Sequence, residues 1–265
     1  MIASSTGDLL ATIVSATRHG VEARERARSR SQLERDLTRT PQGRRFVDAL
    51  RASPAPRIIA ECKRRSPSRG ILREQYDPAV HARQYAAAGA AAISVLTEPT
   101  FFDGSPDHLR AVRAAVDLPV LRKDFIVREY QVVEAAWLGA DAVLLIVGAL
   151  GDPALRALLD ASRQYGLATL VEVHDDQELA RATDAGAEII GVNSRNLRTL
   201  TVDHGILERI AGAMPSRTVH VAESGIRTTA DLERLSSLGY HAFLVGERLI
   251  SQPDPGVALK ELKGQ

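Results

Sequence analysis

Short runs of β-branched and aliphatic residues alternate along most of the chain with longer segments rich in alanine and leucine. The first pattern predicts buried strands, and apolar spacing of three or four residues in the second predicts helices. Strands that alternate with helices pair in parallel through crossover connections. The predicted strands lie at 58–63, 91–96, 119–123, 142–146, 169–173, 189–193, 218–223 and 242–246.

The segments before these strands carry a repeated signal. A glycine ends the predicted helix before every second strand, at Gly89, Gly139, Gly186 and Gly239. Glycine ends a helix readily because it adopts the left-handed conformation, which releases the chain into the next strand. The recurrence before the second, fourth, sixth and eighth strands indicates a quarter-barrel unit of two strand–helix pairs.

Two α/β architectures are compatible with this pattern, a closed (β/α)8 or TIM barrel and a doubly wound open sheet. Eight strand–helix units are the number that closes a barrel, and the sequence has no glycine-rich dinucleotide-binding turn. We therefore expect a TIM barrel with its core over residues 57–250.

The N-terminal part of the chain has a different pattern. Residues 8–50 show helical periodicity and many arginine and glutamate residues, with no strand-like run. Pro54 and Pro56 mark the transition to the barrel. We expect a helical extension of one to three helices over residues 1–50, within a single domain over 1–265, since α/β barrels commonly reach about 250 residues as one domain.

The charges of the chain nearly cancel. There are 34 Lys and Arg residues against 33 Asp and Glu residues, which gives a formal net charge of +1. This balance argues against a nucleic-acid or membrane-surface partner, because both classes of protein show a strong basic bias. It leaves room for a local basic pocket that binds a small anion.

The remaining composition narrows the class further. Cys62 is the only cysteine, so the chain forms no internal disulfide and no cysteine-based zinc site, and its seven histidines lack metal-ligand spacing. Strand alternation places Cys62 on the helix-facing side of the barrel, where a buried structural thiol is expected. With no signal peptide and no run of about 20 apolar residues, we expect a cytoplasmic enzyme without metal or cofactor.

Charged residues stand at the ends of several predicted strands. The first strand ends with Glu61 and Lys63, the third with Lys123, the fifth contains Glu172 and the seventh ends with Glu223. In such barrels, residues at the carboxyl ends of the strands face the mouth, where the active site forms. Each residue alone could belong to a rim salt bridge, but buried charges are costly unless paired, and such clusters concentrate at functional sites.

Other features of the predicted mouth suit an anionic ligand. The loop 63–70 is basic and rich in hydroxyl groups, including Ser66, and its place above the mouth favours anion binding over a plain surface turn. The turns after the seventh and eighth strands contain Ser224, Gly225 and Gly246. Barrels of this type often bind phosphate there through backbone N–H groups.

Aromatic and polar residues complete the predicted site. Phe102 and Phe125 follow the second and third strands, where aromatic side chains can line a pocket for a flat apolar group. Asn193 ends the sixth strand and Arg195 follows it closely. The mouth therefore combines charged, aromatic and anion-binding groups.

These motifs resemble those of the indole-3-glycerol phosphate synthase family. The resemblance covers roughly residues 50–250, and the N-terminal helical extension is also similar. It rests on Glu61-Cys62-Lys63-Arg64-Arg65-Ser66-Pro67-Ser68, Phe102-Asp103-Gly104-Ser105, Arg122-Lys123-Asp124-Phe125-Ile126, Ala142-Val143-Leu144-Leu145-Ile146, Val171-Glu172-Val173, Gly191-Val192-Asn193-Ser194-Arg195-Asn196-Leu197, Ala222-Glu223-Ser224-Gly225-Ile226 and Val245-Gly246-Glu247.

The resemblance implies a carboxy-lyase of tryptophan biosynthesis that closes the indole ring of 1-(2-carboxyphenylamino)-1-deoxyribulose 5-phosphate and releases CO₂ and water. Lys123 matches the general acid for ring closure, Lys63 the lysine that binds the carboxylate, and Glu172 the general base. Either lysine could donate the proton for dehydration. A lysine acts as an acid near neutral pH only if its pKa is lowered by burial or a nearby cation, and Glu61 or Glu223 would oppose that shift.

Further residues carry implied roles in positioning and binding. Glu61 and Asn193 match residues that position the lysines and the substrate hydroxyls, and Arg195 would assist the carboxylate. Some relatives have serine at position 247, so we expect the carboxylate of Glu247 to point away from the phosphate and its backbone N–H to bind. The implied partner is a phosphorylated small molecule bound to a monomer, through Ser66, Phe102, Phe125, Leu144, Arg195, Leu197, Ser224, Gly225, Gly246 and Glu247.

Two other functions are compatible with a phosphate-binding barrel. The barrel isomerases of tryptophan and histidine biosynthesis would need an acid–base pair of cysteine or aspartate residues, where this chain has lysine and glutamate. A binding or scaffolding paralogue without activity would be expected to lack Lys63, Lys123 or Glu172, and all of them are present. The residues therefore favour the synthase.

Overall fold

The structure is a computed structural model that describes residues 8–52, 56–203 and 205–265. Residues 1–7 of the predicted extension and Pro54 of the predicted transition lie outside these ranges. The strands are β1 (Arg57–Cys62), β2 (Arg65–Ser66), β3 (Gly70–Ile71), β4 (Ala92–Leu96), β5 (Val120–Lys123), β6 (Ala142–Ile146), β7 (Ala168–Val173), β8 (Ile189–Asn193), β9 (Val219–Glu223) and β10 (Ala242–Val245).

Eight of these strands close a parallel barrel in the order β1-β10-β9-β8-β7-β6-β5-β4. Closure is visible at β1, where Ile59 is in register with Leu244 on one side and with Ala92 on the other. The short strands β2 and β3 form an antiparallel hairpin in the loop after β1. The prediction of a TIM barrel is confirmed, and every predicted barrel strand agrees with the structure within one residue at each end.

Helices follow the barrel strands and surround them. The helices are α1 (Leu9–Ala27), α2 (Arg30–Arg35), α3 (Gly43–Arg51), α4 (Pro78–Ala87), α5 (Pro99–Phe102), α6 (Pro106–Ala115), α7 (Glu129–Leu138), α8 (Asp152–Gln164), α9 (Asp176–Asp184), α10 (Gly205–Ala211), α11 (Thr229–Ser237), α12 (Glu247–Ile250) and α13 (Pro255–Leu262), with a 3₁₀ turn at Val147–Ala149. Within the described ranges, no helix is long and apolar enough to cross a membrane.

The glycines of the predicted repeat have the backbone conformation that the sequence indicated. The φ angles are 75° at Gly89, 94° at Gly139, 78° at Gly186 and 95° at Gly239. These left-handed residues end α4, α7, α9 and α11 and lead into β4, β6, β8 and β10. The four predicted helix ends are therefore confirmed, but Gly166, with a φ of 73° between α8 and β7, shows that left-handed glycines are not confined to every second strand.

Alternate residues of each strand face two different apolar cores. Ile59 and Leu121 pack in the core inside the barrel, whereas Ile58 and Cys62 pack in the core between the strands and the helices. This arrangement follows from the period of two along a strand. Cys62 is buried on the helix side as predicted, and burial raises the pKa of its thiol well above the usual range.

The extension forms three helices, the upper end of the predicted range. Helix α3 covers the end of the barrel where the strands begin, and Phe46 and Leu50 are fully buried there against the interior core. Gly43 permits this close approach, because a Cβ at that position would lie 2.4 Å from the backbone nitrogen of Ala168. The chain therefore closes one end of the barrel and leaves the other end for the site.

Helix α1 lies along the outside of the barrel against α7. Arg24 of α1 pairs with the buried Glu134 of α7 at 2.7 Å. The single tryptophan, Trp137, lies between the guanidinium groups of Arg28 and Arg110, whose carbon atoms are 4.1 and 3.6 Å from the ring centroid. Ionic and cation–π contacts thus attach the extension to the barrel.

Candidate active site

A cavity of about 360 Å³ opens at the carboxyl ends of the barrel strands. All sixteen residues that the sequence analysis assigned to the site line this cavity. They arrive from different strands and from the loops that follow them, and the closed barrel brings these segments together. The cavity therefore combines the charged, aromatic and glycine-rich segments that the sequence indicated.

Lys63 and Glu61 form an ion pair at the end of β1. The lysine Nζ lies 2.5 Å from Oε1 of the glutamate, and their side chains are 16% and 4% exposed. Gly246 lies against the same carboxylate, because a Cβ at position 246 would be 2.1 Å from that Oε1. Any larger residue at position 246 would displace Glu61. Glycine at position 246 therefore leaves the space in which Glu61 pairs with Lys63.

Lys123 faces two glutamates from across the barrel. Its Nζ lies 3.4 Å from Oε2 of Glu172 and 3.8 Å from Oε2 of Glu223. Burial lowers the pKa of Lys123, but the negative charges of Glu172, Glu223 and Glu61 outweigh burial and raise it above the usual range. The stabilisation of the ammonium by carboxylates is therefore stronger than the effect of burial, and Lys123 is an ammonium group.

The two glutamates beside Lys123 differ in charge state. Burial raises the pKa of Glu172, but the charges of Lys123 and His174 and the closeness of the His174 and Asn193 side chains lower it well below its ordinary value. Burial and the charge of Glu172 raise the pKa of Glu223 well above its ordinary value. Glu172 is therefore the ionised member of the pair and Glu223 holds a proton more readily.

Glu223 depends on a second glycine. A Cβ at position 191 would lie 2.2 Å from Oε1 of Glu223, so the carboxylate occupies space that only glycine leaves free. Asn193 follows on the same strand, β8, and is in register with Glu223. The Oδ1 atom of Asn193 accepts the backbone N–H of Arg195 at 3.0 Å, which fixes the orientation of the amide.

His174 completes the charged cluster and was missed by the sequence analysis. Its Nε2 lies 3.3 Å from Oε1 of Glu172, and its Nδ1 lies 3.1 Å from Oε2 of Glu178 on α9. Burial lowers the pKa of His174, but the two glutamates outweigh burial and raise it to about 10. The sequence held a signal for His174, which stands two residues after Glu172 and directly beyond the strand, because strand alternation continued by one residue directs both side chains to the same side.

Apolar side chains form one wall of the cavity. The rings of Phe102 and Phe125 lie 6.0 Å apart between centroids, and Leu144 also lines the cavity. Phe102 is held by α5, whose first N–H groups, including that of Phe102 at 3.1 Å, donate to the carboxylate of Glu98. The wall therefore offers a surface for a flat apolar group, as predicted.

Acidic residues hold much of the basic loop after β1. Arg64 pairs with Asp103 at 2.9 Å, and Arg69 pairs with Glu247 at 3.1 Å. These contacts dock the loop on the segments that follow β4 and β10. The positive charge of the loop, which the sequence analysis interpreted only as an anion-binding feature, is thus partly used for docking.

The carboxylate of Glu247 is held by arginines at the rim of the cavity, and its orientation away from the phosphate stays a prediction. Its carboxylate lies 3.1 Å from Nε of Arg69 and 3.8 Å from Nη2 of Arg195, and all three residues line the cavity. The two guanidinium groups hold this carboxylate at the rim, a pairing that the sequence did not indicate. Arg195 also donates from Nη1 to the carbonyl oxygen of Leu200 at 3.1 Å.

The turns predicted to bind phosphate flank the far side of the cavity. Ser224 and Gly225 have φ angles of 67° and 73°, two successive left-handed residues directly after β9. The left-handed conformation is unfavourable for serine, and such strain is concentrated at functional sites. Gly246 precedes the short helix α12, while Ser66 and Leu197 line the cavity from other loops.

Among the residues that the structure describes, no group of three or more histidine, cysteine, aspartate or glutamate side chains has an arrangement that could hold a metal ion. The glutamates of the cavity are instead directed at lysine and histidine cations. The arrangement can bind an anion, hold an aromatic group against the wall, and donate or accept protons.

The chain matches the model of the indole-3-glycerol phosphate synthase family over residues 10–262. A protein named indole-3-glycerol phosphate synthase from Mycolicibacterium vanbaalenii is 50% identical over 254 residues, which cover 96% of this chain and 93% of that protein. Indole-3-glycerol phosphate synthase 2 from Streptomyces coelicolor is 46% identical over 256 residues, which cover 97% of this chain and 99% of that protein.

Solved structures with much lower sequence identity share the fold. A 3-hexulose-6-phosphate synthase superimposes with a TM-score of 0.64 at 17% identity and covers 79% of this chain and 99% of its own. The thiamine phosphate pyrophosphorylase from Pyrococcus furiosus gives a TM-score of 0.59, also at 17% identity, covering 78% of this chain and 94% of its own. These likenesses concern the barrel alone.

Proposed function

The chain belongs to the indole-3-glycerol phosphate synthase family, and from this premise we propose that it converts 1-(2-carboxyphenylamino)-1-deoxyribulose 5-phosphate into indole-3-glycerol phosphate, a lyase step of tryptophan biosynthesis. The observation that carries the proposal is one cavity in which two partly exposed lysines, Lys63 and Lys123, each lie beside a buried glutamate and share an aromatic wall. Ring closure needs an acid, a base and a site that holds two carbon atoms together.

Lys123 is proposed as the acid for ring closure. The ring carbon that bears the carboxylate attacks the ketone carbon, the new carbon–carbon bond forms, and the ketone oxygen takes a proton from the Lys123 ammonium. The raised pKa of Lys123 supports a protonated group at neutral pH. The developing alkoxide is far more basic than the amine, so the ammonium can both stabilise it and transfer the proton.

Lys63 is proposed to bind the carboxylate that leaves. When the carbon–carbon bond to that carboxylate breaks, CO₂ departs and the bonding electron pair restores the aromatic ring. The pairing of Lys63 with Glu61 supports this role, because the glutamate holds the ammonium at the end of β1. Arg195, at the same rim, is proposed to assist.

Glu172 is proposed as the general base for the final elimination. It removes a proton from the carbon beside the new hydroxyl group, while that hydroxyl leaves as water with a proton from one of the two lysines. The lowered pKa of Glu172 supports an ionised carboxylate that can accept a proton. Asn193 and Glu223 are proposed to position Glu172 and Lys123 and to contact the hydroxyl groups.

The remaining site residues are proposed to bind the two ends of the substrate. Phe102, Phe125 and Leu144 hold the anthranilate ring against the wall, with Leu197 beside them at the cavity. The phosphate is assigned to the opposite side of the cavity, at the strained turn after β9 and the start of α12. Its proposed ligands are Ser66, Ser224, Gly225, Gly246 and the backbone N–H of Glu247.

We also propose that the enzyme works as a monomer in the cytoplasm. The six proposed catalytic residues all come from one chain, so activity does not require a second copy. Light scattering of the purified protein coupled to size-exclusion chromatography should give a mass near 28.7 kDa. A mass of twice this value at working concentration would contradict the monomer.

The proposed activity is tested with purified protein and 1-(2-carboxyphenylamino)-1-deoxyribulose 5-phosphate. We expect indole fluorescence to appear with time, together with one CO₂ for each molecule of product. A parallel reaction with phosphoribosyl anthranilate tests the isomerase alternative and should give no change. A well-folded protein without turnover of the first compound would contradict the proposal.

A further inference from the structure

His174 is a largely buried histidine that the proposed reaction leaves without a role. It directly follows β7 and stands two residues after Glu172, so both side chains project from the same face of the strand. Its side chain is 12% exposed. A histidine buried this deeply beside charged groups is either part of the packing or part of the chemistry.

Its two ring nitrogens each face a different carboxylate. Nε2 lies 3.3 Å from Oε1 of Glu172, and Nδ1 lies 3.1 Å from Oε2 of Glu178. The same Oε2 of Glu178 accepts the backbone N–H of His174 at 2.8 Å. The charged groups that face the imidazole are thus Glu172 on β7 and Glu178 on α9, with Lys123 beyond Glu172.

Glu178 is itself held in place. It lies in the first turn of α9, where the carboxylate of Asp175 accepts its backbone N–H at 2.8 Å. Its Oε1 approaches Gly148, where a Cβ would be only 2.6 Å away. The helix therefore presents Glu178 to His174 in a fixed orientation.

We propose that His174 is a positioning residue, which acts as an imidazolium held by Glu178 and fixes the carboxylate of the catalytic base Glu172. The inference rests on the proposed function, because it assigns a purpose to the orientation of that base. It adds a Glu178–His174–Glu172–Lys123 line of charges that runs from α9 to the centre of the cavity.

The geometry explains how His174 can hold the carboxylate of Glu172. One oxygen of Glu172, Oε2, faces Lys123, and the other, Oε1, faces His174. With a cation at each oxygen, the carboxylate cannot rotate without losing a charged contact. His174 also helps to keep Glu172 ionised although Glu172 is fully buried, since an unpaired buried carboxylate would take up a proton.

The charge of His174 can be tested without measuring activity. The imidazole nitrogens of ¹⁵N-histidine-labelled protein are followed by NMR from pH 6 to pH 10.5, and the His174 signals are identified by their absence from His174→Gln. We expect an imidazolium up to at least pH 8, and Glu178→Gln should lower the pKa of His174. A neutral His174 at pH 7 would overturn the proposal.

The positioning role is tested by steady-state kinetics on three variants. His174→Leu should lower kcat by about 10-fold to 100-fold with little change in KM, which is less than the 10²- to 10⁴-fold contribution of a general base itself. His174→Gln keeps a donor near Nε2 and should recover most of kcat, whereas His174→Asn places its donor near Nδ1 and should not.

The pH dependence separates positioning from packing. Loss of the imidazolium charge raises the pKa of Glu172, so the acidic limb of the kcat profile should move to higher pH in His174→Gln. His81→Gln is the matched control, because His81 is a buried histidine on α4 that contacts Tyr76 and Gln84 outside the cavity. The control should leave kcat and the profile unchanged.

Failure of this inference differs from failure of the proposed function. If the wild-type protein has no synthase activity, the proposed function is wrong, and the NMR titration still decides whether His174 is held as an imidazolium. If the wild-type protein is active and His174→Leu retains its kcat and pH profile, the positioning role is wrong. Should His174→Leu fail to fold, His174→Gln and Glu178→Gln decide the question by the same readouts.

Discussion

Arg122 and Lys123 are neighbours on β5, and they belong to two different clusters of buried charge. Strand alternation directs Lys123 into the barrel and Arg122 towards the surrounding helices. Arg122 is fully buried, and the side chain of Lys123 is 15% exposed. One strand thus carries two cations, whose surroundings can be compared directly.

The cluster around Arg122 is fully connected. Its guanidinium donates to Thr97 at 3.1 Å, to the carbonyl oxygen of Gln131 at 3.0 Å, to Asp124 at 2.9 Å and to Glu134 at 2.8 Å. Burial lowers the pKa of Arg122, but the charges of Glu134 and Asp124 outweigh burial and raise it. Short bonds at every side indicate a cluster that stabilises the fold.

The cluster around Lys123 is held more loosely. Its distances to Glu172 and Glu223 are 3.4 and 3.8 Å, and all three residues line a cavity. One of the glutamates has a lowered pKa and the other a raised pKa, so the charges are not balanced pair by pair. The difference indicates that tight pairing marks structural charges, whereas loose pairing beside a cavity marks charges that can react.

The largest expected effect comes from Lys123→Met. Turnover should fall by about 10²- to 10⁴-fold, because the proposed proton donor is lost while the side chain keeps most of its length. The neighbouring carboxyl groups can take up protons from the cavity, so we expect the thermal midpoint to fall far less than activity. The measurements are indole fluorescence and calorimetry, and retained turnover would remove Lys123 from its role.

The second effect tests the structural cluster. Arg122→Met leaves Glu134 and Asp124 buried without their main cation, and we expect the free energy of unfolding to fall by about 3–5 kcal/mol. Urea denaturation measures this loss, and activity per folded molecule should change much less. Arg209→Met is the control, since Arg209 forms an exposed pair with Asp203 and should leave the midpoint unchanged. Equal stability of the two variants would contradict the assignment.

The smallest expected effect is a change of stability with pH. It is found by comparing Glu134 from the Arg122 cluster with Glu223 from the Lys123 cluster. Burial raises the pKa of Glu134, but its two arginines outweigh burial and lower it. The ionised carboxylate therefore stabilises the fold above the pKa of the unfolded state, near 4.3. This stabilisation is lost as the pH falls below that value. The pKa of Glu223 is raised, so its effect on stability is opposite to that of Glu134. The fold loses stability as the pH rises above the pKa of the unfolded state.

Glutamine substitutions at the two positions should change the free energy of unfolding in opposite directions. At pH 7, Glu134→Gln should lower the free energy of unfolding by about 2–3 kcal/mol. Glu223→Gln should raise it by about 1–2 kcal/mol. The Glu223 difference should shrink as the pH falls towards 4, whereas the Glu134 difference should shrink only as the pH falls below about 4, which urea titrations at several pH values can follow. If both variants destabilised the protein equally at pH 7, the two clusters would not differ in the way proposed.

The barrel could be predicted from the sequence because its signals are local. Apolar runs of five or six residues fix each strand within one residue, and Gly89, Gly139, Gly186 and Gly239 mark the helix ends that the structure has. Helix α3 could be predicted as a helix, but an amphipathic pattern does not state which end of a barrel the helix covers. The single-domain division stays a prediction.

The site was predictable where strand position alone decides orientation. Glu61, Lys123 and Glu172 follow from the rule that strand ends face the mouth. The two ion pairs of Glu247 could not be predicted, because its partners Arg69 and Arg195 are about 180 and 50 residues away along the chain and no local pattern pairs them. The charge state of Lys123 depended on distances to three carboxylates, which sequence alone does not give.

Gly191 and Gly246 leave the space that Glu223 and Glu61 occupy, and this limits how the gene can change. Gly246→Ala alone would displace Glu61, whereas the same change together with Glu61→Asp would meet a carboxylate one methylene shorter. The two positions therefore form a coupled pair in the sense of epistasis, as do Gly191 and Glu223. An alanine at either glycine should be found in a natural sequence only beside a compensating change at its partner.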